Sequence, residues 1–216
     1  SVIAERLAPR LELLQGDEGH SRYESVHATL ESSLALLSAA ERLALTKLSV
    51  FQSDFSLMAA QHVTEVSLPV LRSLIEKSLL RYDQENERYS FHALIGQYMY
   101  TLLEQHPDTS QKVKTSHATY YLDRLEQLPN AEGEAKQQLV RLLGNELNNL
   151  EAAWLCAVER GWFERLYVTC KALQQFGEMT ARYKPVEALL AKALADCPEE
   201  NAACVTALAS NLALMR

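Results

Sequence analysis

Three observations predict a mainly α-helical fold interrupted by one short β-hairpin. Apolar residues recur three and four apart along most of the 216 residues, the spacing of a helix with one buried face. The period switches from helix to strand and back only around Leu79–Phe91. Past Pro107 every segment reads as helix again. A composition of 48% apolar and 23% charged residues can bury a core, which excludes disorder and fibrous repeats.

The elements follow in order. Residues Val2 to Leu14 place Ile3, Leu7, Leu11 and Leu14 on a helical stripe interrupted by Pro9, ending in a polar stretch at Gln15–Gly19. Tyr23 to Leu37 carries Val26, Leu30, Leu34 and Leu37 as a second helix. Ser38-Ala39-Ala40-Glu41 is a capping box: the Ser38 hydroxyl accepts from the Glu41 amide while the Glu41 carboxylate reaches back, starting a third helix to about Ser49. Its inward residues are Leu45 and Leu48, with Phe51 beyond, and a weaker helix runs from Ser56 to Thr64. From Leu68 to Leu79, the residues Val70, Leu71, Leu74, Ile75, Ser78 and Leu79 form one apolar face. Leu79–Asp83 and Arg88–Phe91 then flank Gln84-Glu85-Asn86-Glu87, the layout of a hairpin with a four-residue loop. A helix from His92 carries Leu94, Ile95, Tyr98, Met99, Leu102 and Leu103 and ends near His106-Pro107.

Asp108 is expected to cap the next helix, whose face is Val113, His117, Tyr120, Tyr121, Leu125 and Leu128, closed by Pro129-Asn130. One long helix follows with Leu139, Leu143, Leu147, Leu150, Trp154, Ala157 and Val158 inward, stopping at Gly161. Phe163, Leu166, Cys170 and Leu173 share a helix, and Val186, Leu189, Leu190, Ala193 and Leu194 another. Asp196-Cys197-Pro198-Glu199-Glu200 reads as a turn and the acidic first turn of a last helix bearing Cys204, Leu208, Leu212 and Met215. Three helices, a hairpin and a following helix amount to a winged-helix unit, assigned to residues 23–107. Residues 1–22 read as the end of an upstream helical segment, and 108–216 as the beginning of an α-helical repeat array. The chain opens inside one amphipathic pattern and stops inside another, the layout of a segment of a longer protein.

Several functions are disfavoured by what the residues lack. With 21 Lys and Arg against 28 Asp and Glu, the net charge of -7 has the wrong sign for neutralising phosphates, so no direct nucleic-acid partner is expected. Arg72 and Lys77 lie on the helix that would read DNA, beside Glu76, and are read as solvated charges. None of the seven glycines precedes a lysine, so there is no phosphate-cradling P-loop, and no histidine starts a His-Glu-x-x-His zinc site. Glu85 with Glu87 and Glu199 with Glu200 are read as solvated loop or helix-dipole carboxylates; neither a catalytic residue nor a metal ligand is nominated. Cys156, Cys170, Cys197 and Cys204, spaced 14, 27 and 7 apart, form no Cys-x-x-Cys and fall on apolar faces, which fits a reduced, cytoplasmic setting. No run of about 18 apolar residues predicts a membrane span. Trp154 and Trp162 are assigned to core packing. Asn145, Asn148 and Asn149 with Glu146 suit a binding concavity, a polar helix face or interhelical hydrogen bonds.

Arg22–Leu30, the stretch Leu36–Arg42 and Leu48-Ser49-Val50-Phe51 lead to Leu74-Ile75-Glu76-Lys77-Ser78-Leu79-Leu80 and to Arg88-Tyr89-Ser90-Phe91-His92-Ala93-Leu94-Ile95-Gly96-Gln97-Tyr98. On these residues the chain resembles the region that follows the nucleotide-binding domain in bacterial signal-transduction ATPases of the STAND class, the NB-ARC-like regulators. The first of the last two stretches looks like that family's helix-to-wing junction, the second like its second wing strand and MHD-type motif. Asn145–Trp154, running to Gly161, is similar to the helix that opens the family's TPR-like sensor region.

The resemblance implies a non-catalytic regulatory piece of a signalling or transcription regulator. Its winged helix would gate ADP or ATP bound by an upstream nucleotide-binding domain, and its TPR-like region would sense a protein or small-molecule inducer. No nucleotide is expected to bind this piece tightly by itself. The family's motif histidine contacts the ADP phosphates, and that position here is His92; Ala93 stands where the strict motif carries Asp, which removes a capping carboxylate. A helical-repeat interaction module with the winged helix as a structural cap is the alternative.

Overall fold

The computed structural model describes residues 34–215. The expected helix at Val2–Leu14, most of the one at Tyr23–Leu37 and the motif at Arg22–Leu30 lie outside the described residues. By compactness the chain divides into Ser1–Leu43 and Ala44–Arg216.

In the first unit the capping box at Ser38 forms as the sequence predicts and opens helix α1, Ala39–Leu48. The Ser38 amide and hydroxyl donate to Glu41 Oε2 at 2.7 and 2.9 Å, and the Glu41 amide donates back to Ser38 Oγ at 3.3 Å. Reciprocal bonds of this kind satisfy amides that a helix start otherwise leaves unpaired.

The second unit begins with the buried end of α1, where Leu45 and Leu48 point inward. Strand β1, Phe55–Ser56, leads directly into α2, Leu57–Thr64, and Ser56 serves both, since its hydroxyl accepts from the Ala59 amide at 3.2 Å. Helix α3 spans Leu68–Glu76. Strands β2, Leu80–Asp83, and β3, Arg88–Phe91, form the expected hairpin. Among the described residues the sheet has three antiparallel strands in the order β1-β3-β2, with Phe55 opposite Tyr89 and Tyr82 opposite Tyr89. Two residues carry no periodicity, which is why β1 has no counterpart in the sequence pattern. Rings hold it there: Phe55 stacks on Phe51 at 4.3 Å and lies 6.0 Å from Tyr89, and Tyr82 packs on Tyr89 at 4.8 Å.

Helix α3 ends at Glu76, three residues before the predicted Leu79. Ser78 sits at φ 58°, its amide donates to the Ile75 carbonyl at 2.8 Å and the Leu79 amide to that of Leu74 at 2.9 Å. This is a Schellman closure. It leaves Ser78 exposed while turning Leu79 back into the core beside β2.

After the hairpin come α4, Ala93–Glu104, and α5, Pro107–Gln127. Asp108 does not cap α5. His106 holds the cap position and Pro107 the first helical one, where a missing N–H costs nothing, so Asp108 falls inside the first turn. A 3₁₀ turn at Leu128–Asn130 closes α5. The single long helix expected next is two: α6, Gly133–Asn145, and α7, Leu147–Glu159, parted at Glu146, whose φ and ψ of -110° and 29° are not helical. Helix α7 stops as predicted at Gly161, which adopts φ 68° while the Trp162 amide donates to the Ala157 carbonyl at 2.9 Å.

Helices α8, Phe163–Thr180, α9, Tyr183–Asp196, and α10, Ala202–Leu214, complete the array. Glu199 and Glu200 lie in the loop before α10 rather than in its first turn, because Asn201 takes the cap position. The array packs α5 on α7, α8 on α10 and α9 on α10, around a core that includes Trp154, Tyr121 and Phe176. The Trp154 indole N–H donates to the Leu189 carbonyl at 3.0 Å, joining α7 to α9.

Only a residue without Cβ takes the left-handed region at low cost. Gly161→Ala is therefore expected to lower stability by about 1 kcal/mol, and Ser78→Gly to raise it by about 0.5 kcal/mol. Urea unfolding of the two variants beside the parent checks both signs.

Candidate functional site

Two places gather the polar residues that the sequence singled out. The first is the start of α4. His92 follows the last residue of β3 and occupies the N-cap position of α4 with φ -66° and ψ 133°; its carbonyl accepts the first helical bond, from Gly96, at 3.0 Å. Its imidazole makes no cap bond and is exposed. Gly96 packs closely on the end of β3: a Cβ there would stand 3.2 Å from the Phe91 Cβ, so one of the two would have to give by a few tenths of an ångström. With Ala93 next in line, no carboxylate occupies the first turn of α4, whose amides have no partner within the helix. Arg72 and Lys77 are exposed on and just after α3.

The second place is buried. Glu146, at the break between α6 and α7, is fully enclosed. Arg88 of β3 donates from Nη1 to its Oε1, and Tyr121 of α5 donates from its hydroxyl to its Oε2. The other Arg88 amino group donates to the Asp54 carbonyl at 2.6 Å. Asn149, one turn into α7, adds a second tie to the same loop: its Oδ1 accepts from the Gln52 amide at 2.7 Å and its Nδ2 donates to the Asp54 carbonyl at 3.2 Å. Burial and the adjacent carboxylate push the Tyr121 hydroxyl far above the usual tyrosine range, so it stays a donor.

His117 lies beside this cluster on α5, packed 5.4 Å from the Phe51 ring and 4.8 Å from the Tyr121 ring. Complete burial pushes its pKa down from 6.5 to about 4, only partly offset by the Asn149 side chain, so the imidazole is neutral in the fold.

Sequence reasoning nominated His92 and grouped Glu146 with three asparagines. The structure takes Glu146 and Asn149 inward as interelement hydrogen-bonding groups and leaves Asn145 and Asn148 exposed. It adds Arg88, Tyr121 and His117, which the pattern had assigned to a strand and an apolar helix face. One signal was present: Glu146 stands three residues after Leu143 and four before Leu150, on the core stripe itself.

Trp154 is buried as expected, while Trp162 is half-buried with the Arg160 guanidinium 5.9 Å from its ring. All four cysteines are free thiols, three of them buried. A groove of about 630 Å³ lined by Asp123, Glu126, Gln127, Asn130 and Ala131 has both carboxylates paired with Arg165. Among the described residues no cluster of three or more His, Cys, Asp or Glu could hold a metal ion, and no helix is long and apolar enough to cross a membrane.

Two predictions follow from the buried cluster. Removing one partner strands a charge: Arg88→Met is expected to cost about 3–5 kcal/mol, while Arg88→Met/Tyr121→Phe/Glu146→Leu, which removes the whole cluster, recovers most of it in urea titrations. His117 binds a proton in the unfolded chain below pH 6.5 but in the fold only near pH 4. Stability is therefore highest above pH 6.5 and falls towards pH 4, by a total of about 3 kcal/mol from this residue. His117→Phe should reduce the slope over that interval by about one proton, measured by unfolding at pH 7 and pH 4.5. No known protein family, curated protein or solved structure matches the chain.

Proposed function

We propose that this chain is the regulatory, non-catalytic portion of a STAND-class ATPase that controls signalling or transcription. On this reading residues 23–107 are a winged-helix domain that closes over ADP or ATP held by an upstream nucleotide-binding domain. Residues 108–216 are a TPR-like region that senses an inducer or partner protein and biases the closed against the open arrangement. The cellular setting is the cytoplasm.

The observation that carries this reading is the position of His92. It is the junction residue between the hairpin and α4, its imidazole is exposed and makes no cap bond, and it opens the first turn of α4, whose amides have no partner within the helix. A helix start of this kind favours an anion, and an imidazole N–H adds one hydrogen bond to a phosphate oxygen. The residue types on either side, Arg-Tyr-Ser-Phe before it and Leu-Ile-Gly-Gln-Tyr after it, support the same assignment.

The second reading, a helical-repeat interaction module, draws on the outer face of α8. Tyr167, Val168 and Met179 are each about half exposed on one side of that helix, and Tyr183 follows at the start of α9. Exposed aromatic and methionine side chains in one region are the residue types that protein partners cover.

The deciding measurement is ADP and ATP affinity of the longer protein that carries the nucleotide domain, with His92 and with His92→Ala. Loss of a hydrogen bond to a charged group costs about 1–3 kcal/mol, so ADP affinity is expected to fall about 5- to 150-fold, with a smaller change for ATP. A folded variant that binds ADP unchanged would overturn the latch and favour the interaction module.

A further inference from the structure

The segment Gly133–Glu159 has no proline, and its break falls on a glutamate, a residue that ordinarily continues a helix. The local chain does not demand an interruption there. Glu146 instead caps both helices: its amide donates to the Leu142 carbonyl at 3.1 Å, the last bond of α6, and its carbonyl accepts from the Leu150 amide at 3.0 Å, the first bond of α7. What distinguishes the break is what reaches it from outside. Arg88 of β3 and Tyr121 of α5 hold the Glu146 carboxylate inside the core. From the other side, Arg182 at the cap of α9 donates to the Gly144 carbonyl at 3.3 Å, two residues before the break. Helix kinks without proline arise at an inserted side chain or at a glycine, and Gly144, two residues before the break, is the competing cause that the test must separate.

We propose that the interruption at Glu146 is a conformational switch held by two arginines, which couples the hairpin to α9. With Arg88 on Glu146 and Arg182 on Gly144, α6 and α7 are separate helices. When the Arg88 contact is lost, Glu146 returns to helical geometry and Gly133–Glu159 becomes one continuous helix, carrying α6 to a new direction relative to α7. Because Arg182 precedes α9 directly, a change at the break is felt there, and a change at α9 is felt at the hairpin, as linkage between two sites on one bistable element requires. The inference rests on the chain's own contacts and needs no nucleotide.

The test is NMR on the 216-residue chain. In Arg88→Met/Tyr121→Phe/Glu146→Leu, the Cα shift of residue 146 should move into the helical range, and the N–H dipolar couplings of Gly133–Asn145 and Leu147–Glu159 should fit one helix axis. A folded triple variant that keeps two axes overturns the switch. Arg182→Gln leaves the buried cluster intact and tests the coupling separately: amide resonances of Arg88–Phe91 should shift, and an unperturbed hairpin overturns the coupling even if the triple variant does not fold. In Gly144→Ala, where a Cβ meets nothing within 4 Å, both arginines remain and the break should persist. Its loss there would assign the break to the glycine and overturn the proposal.

Discussion

The buried carboxylate of Glu146 is the constraint on which the rest of the second unit depends. A charge removed from water is tolerated only with opposite charge and hydrogen-bond donors on its oxygens. Here those donors come from two different elements, β3 and α5, while the carboxylate itself belongs to the junction of α6 and α7. Satisfying one side chain therefore sets the distance of the hairpin from the helical array. Asn149 repeats the device one turn later by taking both a donor and an acceptor from the loop before β1.

Around this polar centre the apolar packing is aromatic. Phe51, Phe55, His117, Tyr121 and Tyr89 form a connected run of rings from the end of α1 across β1 to α5. This explains how a strand of two residues persists. Its ladder contributes little, and ring packing on Phe55, which is wholly buried, contributes more. The same packing keeps His117 uncharged, so the hydrophobic and electrostatic designs of this region are one arrangement.

One short strand, β3, joins the candidate nucleotide-facing residue to the buried cluster. Arg88 opens β3 and His92 follows its end, so the element that presents the imidazole also carries the arginine that grips Glu146. On the proposed function, this short strand is where a phosphate contact and the helical array meet, which gives the array a physical route by which to weight one arrangement over another.

Most element positions were legible because they rest on local chemistry. The capping box at Ser38, the hairpin loop at Gln84–Glu87, the glycine at 161 and the apolar stripes of α5, α7 and α10 are set by residues close together in the chain. His92 at the head of α4 was legible for the same reason. The early end of α3 was not, since a serine rather than a glycine took the left-handed position. Nor was β1, whose partners lie more than thirty residues away. By itself the sequence determined a helical chain with one hairpin and the residue at its exit. Only the tertiary structure decided that α6 and α7 are two helices and that Glu146 is a core residue. A glutamate continues a helix unless distant donors draw its carboxylate inward, and Arg88 and Tyr121 come within reach only once the chain has folded.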